Sequence, residues 1–163
     1  MGKRPDQGVY SVWSLPQFGR NGRGLAFLTN SKDRHCDAET FYKALDQKGQ
    51  RPIHTRFEAW LDHHDDQITW FHGFPNHAKY KGCFTFKWRV RGSGQRFYGF
   101  LHGANELQQG FQICILVLHA IKNEGATDTA ELDRVVDRRN ALEVRRAVRN
   151  EVLILKEKGW PTA

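Results

Sequence analysis

His119 and Lys122 stand where an apolar, β-branched run from Phe111 to Ala120 gives out. An imidazole there can exchange a proton near neutral pH, and a neighbouring ammonium can stabilise negative charge. Together they are the minimum for attack of an RNA 2′-hydroxyl on its own phosphate, a reaction that needs neither metal nor cofactor. A histidine at a strand end is also commonly a hydrogen-bonded structural residue, so the pair gains meaning only from cations on its side of the fold. Lys87, Arg89 and Arg91 supply them by alternating with Phe84, Phe86, Trp88 and Val90, and Arg96 adds a further one on the returning segment. Like charges facing each other across paired strands destabilise the sheet unless an anion lies between them. Arg96 is expected beside Arg91, where a phosphate backbone would serve, and the planar guanidinium fork clamps a phosphate in two places. The plainer alternative is a solvated basic face.

Other groups carry weaker signals. His63-His64-Asp65-Asp66, with His72 and His77 nearby, contains metal-ligand types, but adjacent helical residues point apart and no zinc spacing is present, so no metal site is expected. The aromatics of Trp70-Phe71-His72-Gly73-Phe74 and Tyr80 can stack on exposed bases or pin a loop to the core. Arg134, Arg138, Arg139, Arg145, Arg146 and Arg149 spread charge along a late helix. Glu131, Asp133, Asp137 and Glu143 interleave there as ordinary helical ion-pair partners.

The elements that must position these groups follow from periodicity. Phe84 to Arg91 alternates with period two, Gly92-Ser93-Gly94 supplies a turn, and Arg96 to His102 returns, predicting an antiparallel hairpin. Phe111 to Ala120, with Ile113, Ile115 and Val117, predicts a central strand buried on both faces. Val9 to Ser14 and Gly24 to Thr29 are strand candidates, with residues 19–24 read as a loop between them. Helical spacing begins at Asp37. Ala38, Phe41, Tyr42 and Leu45 recur at i, i+3, i+4 and i+7, Asp37 can cap, and Gly49 ends the run. A second helix places Pro52 in its first turn and buries Ile53, Phe57, Trp60 and Leu61. From Asp128 the chain reads as a C-terminal helix, with Asp128 and Glu131 spaced as a capping pair and Asn140 a point where it can divide. The expected class is therefore α+β: a mainly antiparallel twisted sheet of about four to five strands, packed against two N-terminal-half helices and a C-terminal helix. Residues 1–163 are expected to form one domain, with a core at 25–140, an N-terminal extension at 1–24 and a C-terminal helical extension at 141–163.

Composition narrows the partners. The 25 Lys and Arg against 18 Asp and Glu give a net charge of +7, and the sequence pI is near 9.5, which points to an anionic partner such as nucleic acid or an acidic protein. Cys36, Cys83 and Cys114 are widely spaced and odd in number, so neither a disulfide framework nor a paired-cysteine metal site is written, and a reducing cytoplasm fits. No apolar stretch is long enough to span a bilayer, and the first residues lack the apolar region of a signal peptide.

The segments GCFTFKWRVRGSGQRFYGFL, residues 82–101, and LVLHAIKNEGATDTAELDRVVDRRN, residues 116–140, resemble the RelE/HigB superfamily of toxins, in particular its phage-derived branch. The shared pattern is a basic hairpin, an apolar strand ending in Leu118-His119-Ala120, and a helix with a late arginine; Ala38 to Leu45 is similar to the family's helical entry. The resemblance implies a metal-independent endoribonuclease of a toxin–antitoxin system that cleaves mRNA on the ribosome. It matches Arg89 and Arg96 to the family's basic hairpin positions, His119 and Lys122 to the strand end and Arg138 or Arg139 to the helix arginine; taken with the strand reading, His119, Lys122 and Arg96 are expected as catalytic groups and Lys87, Arg89, Arg91, Arg138 and Arg139 as RNA-binding ones. The implied partners are mRNA, the ribosome and a cognate antitoxin, with a homodimer left open. Asn123 and Asp128 stand where the family carries a second Lys and a Pro. Two alternatives therefore stay open: a non-catalytic phage RNA- or protein-binding module of the same fold, and a gyrase-directed toxin of the ParE type.

Overall fold

The computed structural model describes residues 10–30, 36–62, 70–74, 77–103, 112–122 and 129–159. Two strands, β1 (Ser11–Arg20) and β2 (Arg23–Thr29), lead to two helices, α1 (Ala38–Ala44) and α2 (Gln47–Leu61). Four more strands follow, β3 (Phe71–Gly73), β4 (Cys83–Val90), β5 (Ser93–His102) and β6 (Gln112–Ile121), and then helices α3 (Thr129–Asn140) and α4 (Leu142–Glu157). The class is α+β, as expected. The strands form one six-stranded sheet in the order β1-β2-β6-β5-β4-β3, antiparallel except for the β2–β6 pair, which is parallel.

Period-two alternation works on both faces. Leu25, Phe27, Phe84, Phe86, Trp88, Phe97 and Leu116 meet α1 and α2, while Ala26, Leu28, Cys83, Tyr98, Phe100, Ile113 and Ile115 meet α3 and α4. A sheet covered on both sides explains why β6 reads as an unbroken apolar run. The segments read as terminal extensions supply core. Leu15 and Phe18 of β1 join the first cluster, and Val144, Val148, Val152 and Leu155 of α4 close the second.

Several boundaries differ from the sequence expectation. Residues 19–24 are not a loop: β1 and β2 meet at a two-residue turn, Asn21-Gly22, both with positive φ (57° and 75°), the conformation that Asn-Gly favours. The turn also seals α2, because Arg20 binds Asp62, Asn21 donates to the Leu61 carbonyl, and buried Arg23 donates to the Trp60 carbonyl at 2.7 Å. Gly49 does not end α1. Leu45 breaks the helix in an extended conformation, and Asp46 restarts it by accepting from the Gly49 N–H at 2.7 Å, which leaves Pro52 inside α2 instead of in its first turn. The hairpin turn is Arg91-Gly92, not Gly92-Ser93-Gly94, so β5 starts earlier. Strand β3 was not anticipated. The C-terminal helical stretch does divide, with Ala141 extended between α3 and α4. Val9, Phe111, Asp128 and the His63–Asp66 cluster lie outside the described residues. Among those described, no helix is long and apolar enough to cross a membrane.

Candidate functional site

The early turn resets the hairpin register. Lys87 stands opposite Arg96, Arg89 opposite Gly94, and Arg91 lies in the turn itself, so Arg96 is not beside Arg91. Arg91 holds φ at +52°, a conformation that strains a residue with a Cβ. Arg89 donates to the Gly92 carbonyl at 2.9 Å. Both are exposed, whereas Arg96 is buried at 5% exposure and Lys87 is half-buried between them and the core.

Alternation also separates the two halves of the chemistry read from sequence. On β5, Arg96 pairs with Ala120 and Phe97 pairs with His119, so His119 and Arg96 project from opposite faces of the sheet. His119 turns toward α1, where its ring stacks on Phe41 with centroids 3.6 Å apart, and its Nε2 meets Gln95 Oε1 at 2.6 Å. Its backbone N–H is taken by the Asp37 carboxylate at 2.8 Å, which ties the start of α1 to β6. Burial lowers the His119 pKa, opposed by Asp37. Lys122 follows the end of β6 and donates its N–H to the Gly94 carbonyl at 2.9 Å. His119 thus has the surroundings of a structural residue and does not share a face with Arg96.

Arg138 and Arg139 lie in the last turn of α3. Arg138 donates to the Tyr10 hydroxyl at 2.8 Å, and Arg139 donates to the carbonyls of Lys81 and Lys79 and approaches Cys83 Sγ. These contacts clamp the β3–β4 connector and the sheet edge to α3.

What the fold does assemble is a cleft on the α3 face, with a volume of about 340 Å³, lined by His72, Phe74, His77, Tyr80, Lys87, Thr129 and Leu132. Strand β3 delivers His72 there by pairing it with Thr85, which pairs in turn with Tyr98; Lys87 and Arg96 form the next row. His72 therefore lies close to two cations. Burial lowers its pKa first, and Lys87 and then Arg96 lower it further. The Lys87 pKa is lowered by burial and by Arg96. Among the described residues no carboxylate pairs with Lys87 Nζ, and the Thr85 hydroxyl, fully buried beside His72, has no hydrogen-bond partner. Thr129, the first residue of α3, brings the positive end of that helix to the same cleft. Half-buried positive charge without a counter-charge is costly, and an anion in the cleft would offset it.

The aromatic side of the cleft is fixed from outside. Tyr80 donates to Asp133 of α3 at 2.7 Å, Lys79 pairs with the same carboxylate at 2.7 Å, and Arg139 holds the neighbouring carbonyls. In the sequence His72 and His77 read as metal-ligand types without a metal spacing, and Phe74 and Tyr80 as stacking or pinning aromatics, with nothing to connect them to Lys87. The missing signal was the three-residue strand Phe71–Gly73, which puts Phe71 in the core and His72 on the opposite face. No group of three or more metal-ligand side chains gathers among the described residues. No known protein family, curated protein or solved structure matches the chain.

Proposed function

We propose that this chain acts on RNA, gripping the phosphate backbone along the β4–β5 hairpin and in the cleft beneath it, and that its reaction is metal-independent attack of a 2′-hydroxyl on the adjacent phosphate, which breaks the bond to the 5′-oxygen of the next nucleotide, leaves a 2′,3′-cyclic phosphate and releases a 5′-hydroxyl protonated from solvent. The observation that carries the reading is Lys87 and Arg96 side by side on the cleft face, with no carboxylate among the described residues paired to the half-buried Lys87. Arg89 and Arg91 continue the positive track into solvent. In this reading Lys87 and Arg96 hold the phosphate and stabilise charge on it in the transition state. His72 replaces His119 as the proton-transfer group, because it lies on their face of the sheet and lines the same cleft as Lys87. Its lowered pKa keeps it neutral at pH 7, the form that accepts a proton from a hydroxyl. A toxin role with mRNA on the ribosome as substrate and an acidic antitoxin over the basic hairpin extends this reading through the sequence resemblance.

The test is induced expression in a bacterial host, with growth followed alongside primer extension on abundant mRNAs, for wild type and the His72→Ala, Lys87→Ala and His119→Ala variants. Growth arrest with new mRNA ends that disappear in His72→Ala and Lys87→Ala is the expected result. Cleavage that survives both substitutions sinks the assignment. RNA binding in vitro without cleavage keeps the grip and removes the reaction. For purified protein, Lys87→Ala is expected to weaken single-stranded RNA binding about tenfold and to reduce the slope of log affinity against log salt by about 0.7, the share of one phosphate contact.

A further inference from the structure

We propose that the α3-face cleft is a nucleotide pocket that takes the phosphate at Lys87 and His72 and stacks the attached base on Phe74 and His77, so that the RNA recognised is single-stranded with one base turned out. This rests on the RNA reading above and adds to it the form of the ligand.

Three features of the cleft carry the inference. Its size, about 340 Å³, lies at the small end of the range for small-molecule clefts, about 300–1,000 Å³, which suits one nucleotide. Its lining combines two chemistries. Lys87 and Thr129 at the start of α3 bring positive charge, while Phe74, His77 and Tyr80 form an aromatic cluster, with centroids 5.0 Å apart for His77–Tyr80 and 6.4 Å for Phe74–Tyr80. His72 links the two, contacting Phe74 edge to face at 4.8 Å while its partner Thr85 stands two residues before Lys87 on β4. A phosphate alone would leave the aromatic cluster unused.

The aromatic rings also divide by availability. Tyr80 is buried, its hydroxyl is held by Asp133, and the Lys79 ammonium lies 5.6 Å from its ring centroid, so it is a wall. Phe74 is half-buried and His77 exposed, which leaves ring faces for a ligand. In a duplex both faces of each base are already covered by neighbours, and a double helix is far wider than this cleft. An unpaired base has a free π-face, and stacking on aromatic side chains accepts any base.

The experiment is fluorescence anisotropy of a short labelled single-stranded RNA on the full chain, with adenosine monophosphate, inorganic phosphate and the same RNA as a duplex as competitors. Wild type is compared with Lys87→Ala and with His77→Ala, an exposed position whose loss leaves the fold intact, checked by thermal melting. The nucleotide is expected to displace RNA about tenfold more effectively than phosphate, the share of one stacked base, and the duplex to compete at least about tenfold less well than the single strand. His77→Ala should erase the nucleotide's advantage over phosphate, and Lys87→Ala should weaken both. Equal competition by phosphate and nucleotide, unchanged binding in His77→Ala, or a duplex that competes as well as the single strand each overturns the base pocket while RNA binding itself stands. If the labelled RNA does not bind in the direct titration, before any competitor is added, the underlying RNA reading falls and the pocket with it.

Discussion

Single residues show where this protein gives up stability and where it does not. Arg91 sits in a turn position suited to Gly or Asn, with φ at +52°, and carries a full side chain into solvent at the tip of the basic hairpin. Strain of this kind costs on the order of 1 kcal/mol and persists where the side chain has a task. Arg91→Gly is therefore expected to raise the unfolding free energy by about 1 kcal/mol while weakening RNA binding. Urea denaturation and anisotropy measure the two effects, and a variant that gains stability with unchanged affinity removes Arg91 from the interface. His119 presents the opposite case. Its stacking on Phe41 and its hydrogen bond to Gln95 predict that His119→Ala loses about 2 kcal/mol of stability and leaves the affinity of the folded protein for RNA unchanged. A variant of wild-type stability with lost RNA affinity would restore His119 to the site.

At the scale of elements, the close pairing of β5 and β6 decides what the sheet can display. The register shifts between Tyr98 and Gly99, and a Cβ on Gly99 would collide with the Ile115 carbonyl oxygen and lie 2.7 Å from Phe84 Cζ. The obstacle is largely backbone, which cannot step aside. Gly99→Ala is expected to cost about 3 kcal/mol or to prevent folding, read from denaturant midpoints, and a loss below about 1 kcal/mol would show that the pairing has slack. The bulge matters to function through phase. Tyr98 opposes Leu118 and Phe97 opposes His119, and this registry keeps His119 on the α1 face while Arg96 stays on the α3 face. Helix α3 then completes the cleft through Thr129 and Leu132 and anchors the connector through Asp133 and Arg139.

Among the described residues of the molecule as a whole, three histidines in three places have pKa values lowered first by burial: His54 beside Tyr42, His72 in the cleft, and His119 against Phe41. An unfolded chain binds protons at these sites near pH 6.5, whereas the folded chain binds them only at lower pH. The unfolded state therefore holds more protons in that window, and stability falls as pH drops below about 6.5. Thermal melting between pH 7.5 and 5.5 should show a declining midpoint, and a flat profile contradicts the burial of these rings. Bound RNA acts the other way on His72, because an anion in the cleft favours the imidazolium, so RNA affinity should rise over the same acid range and Lys87→Ala should leave that rise in place.

The sequence by itself determined the class, the basic hairpin and most of the core. Period-two and helical periodicities are local, and Phe84, Phe86, Trp88, Ile53, Phe57 and Trp60 are buried where their spacing required. It also put Lys87, Arg89 and Arg96 on one hairpin, because alternation and a nearby turn are legible over a few residues. Only the tertiary structure decided which cations share a face with which histidine. That depended on a turn shifted to Arg91-Gly92, a bulge at Val117 of β6 opposite Tyr98 and Gly99, and a three-residue strand, Phe71–Gly73, too short to show periodicity. A one-residue change of register sends a side chain to the other face of a sheet, so residues far apart in sequence share a site only when every pairing between them is known.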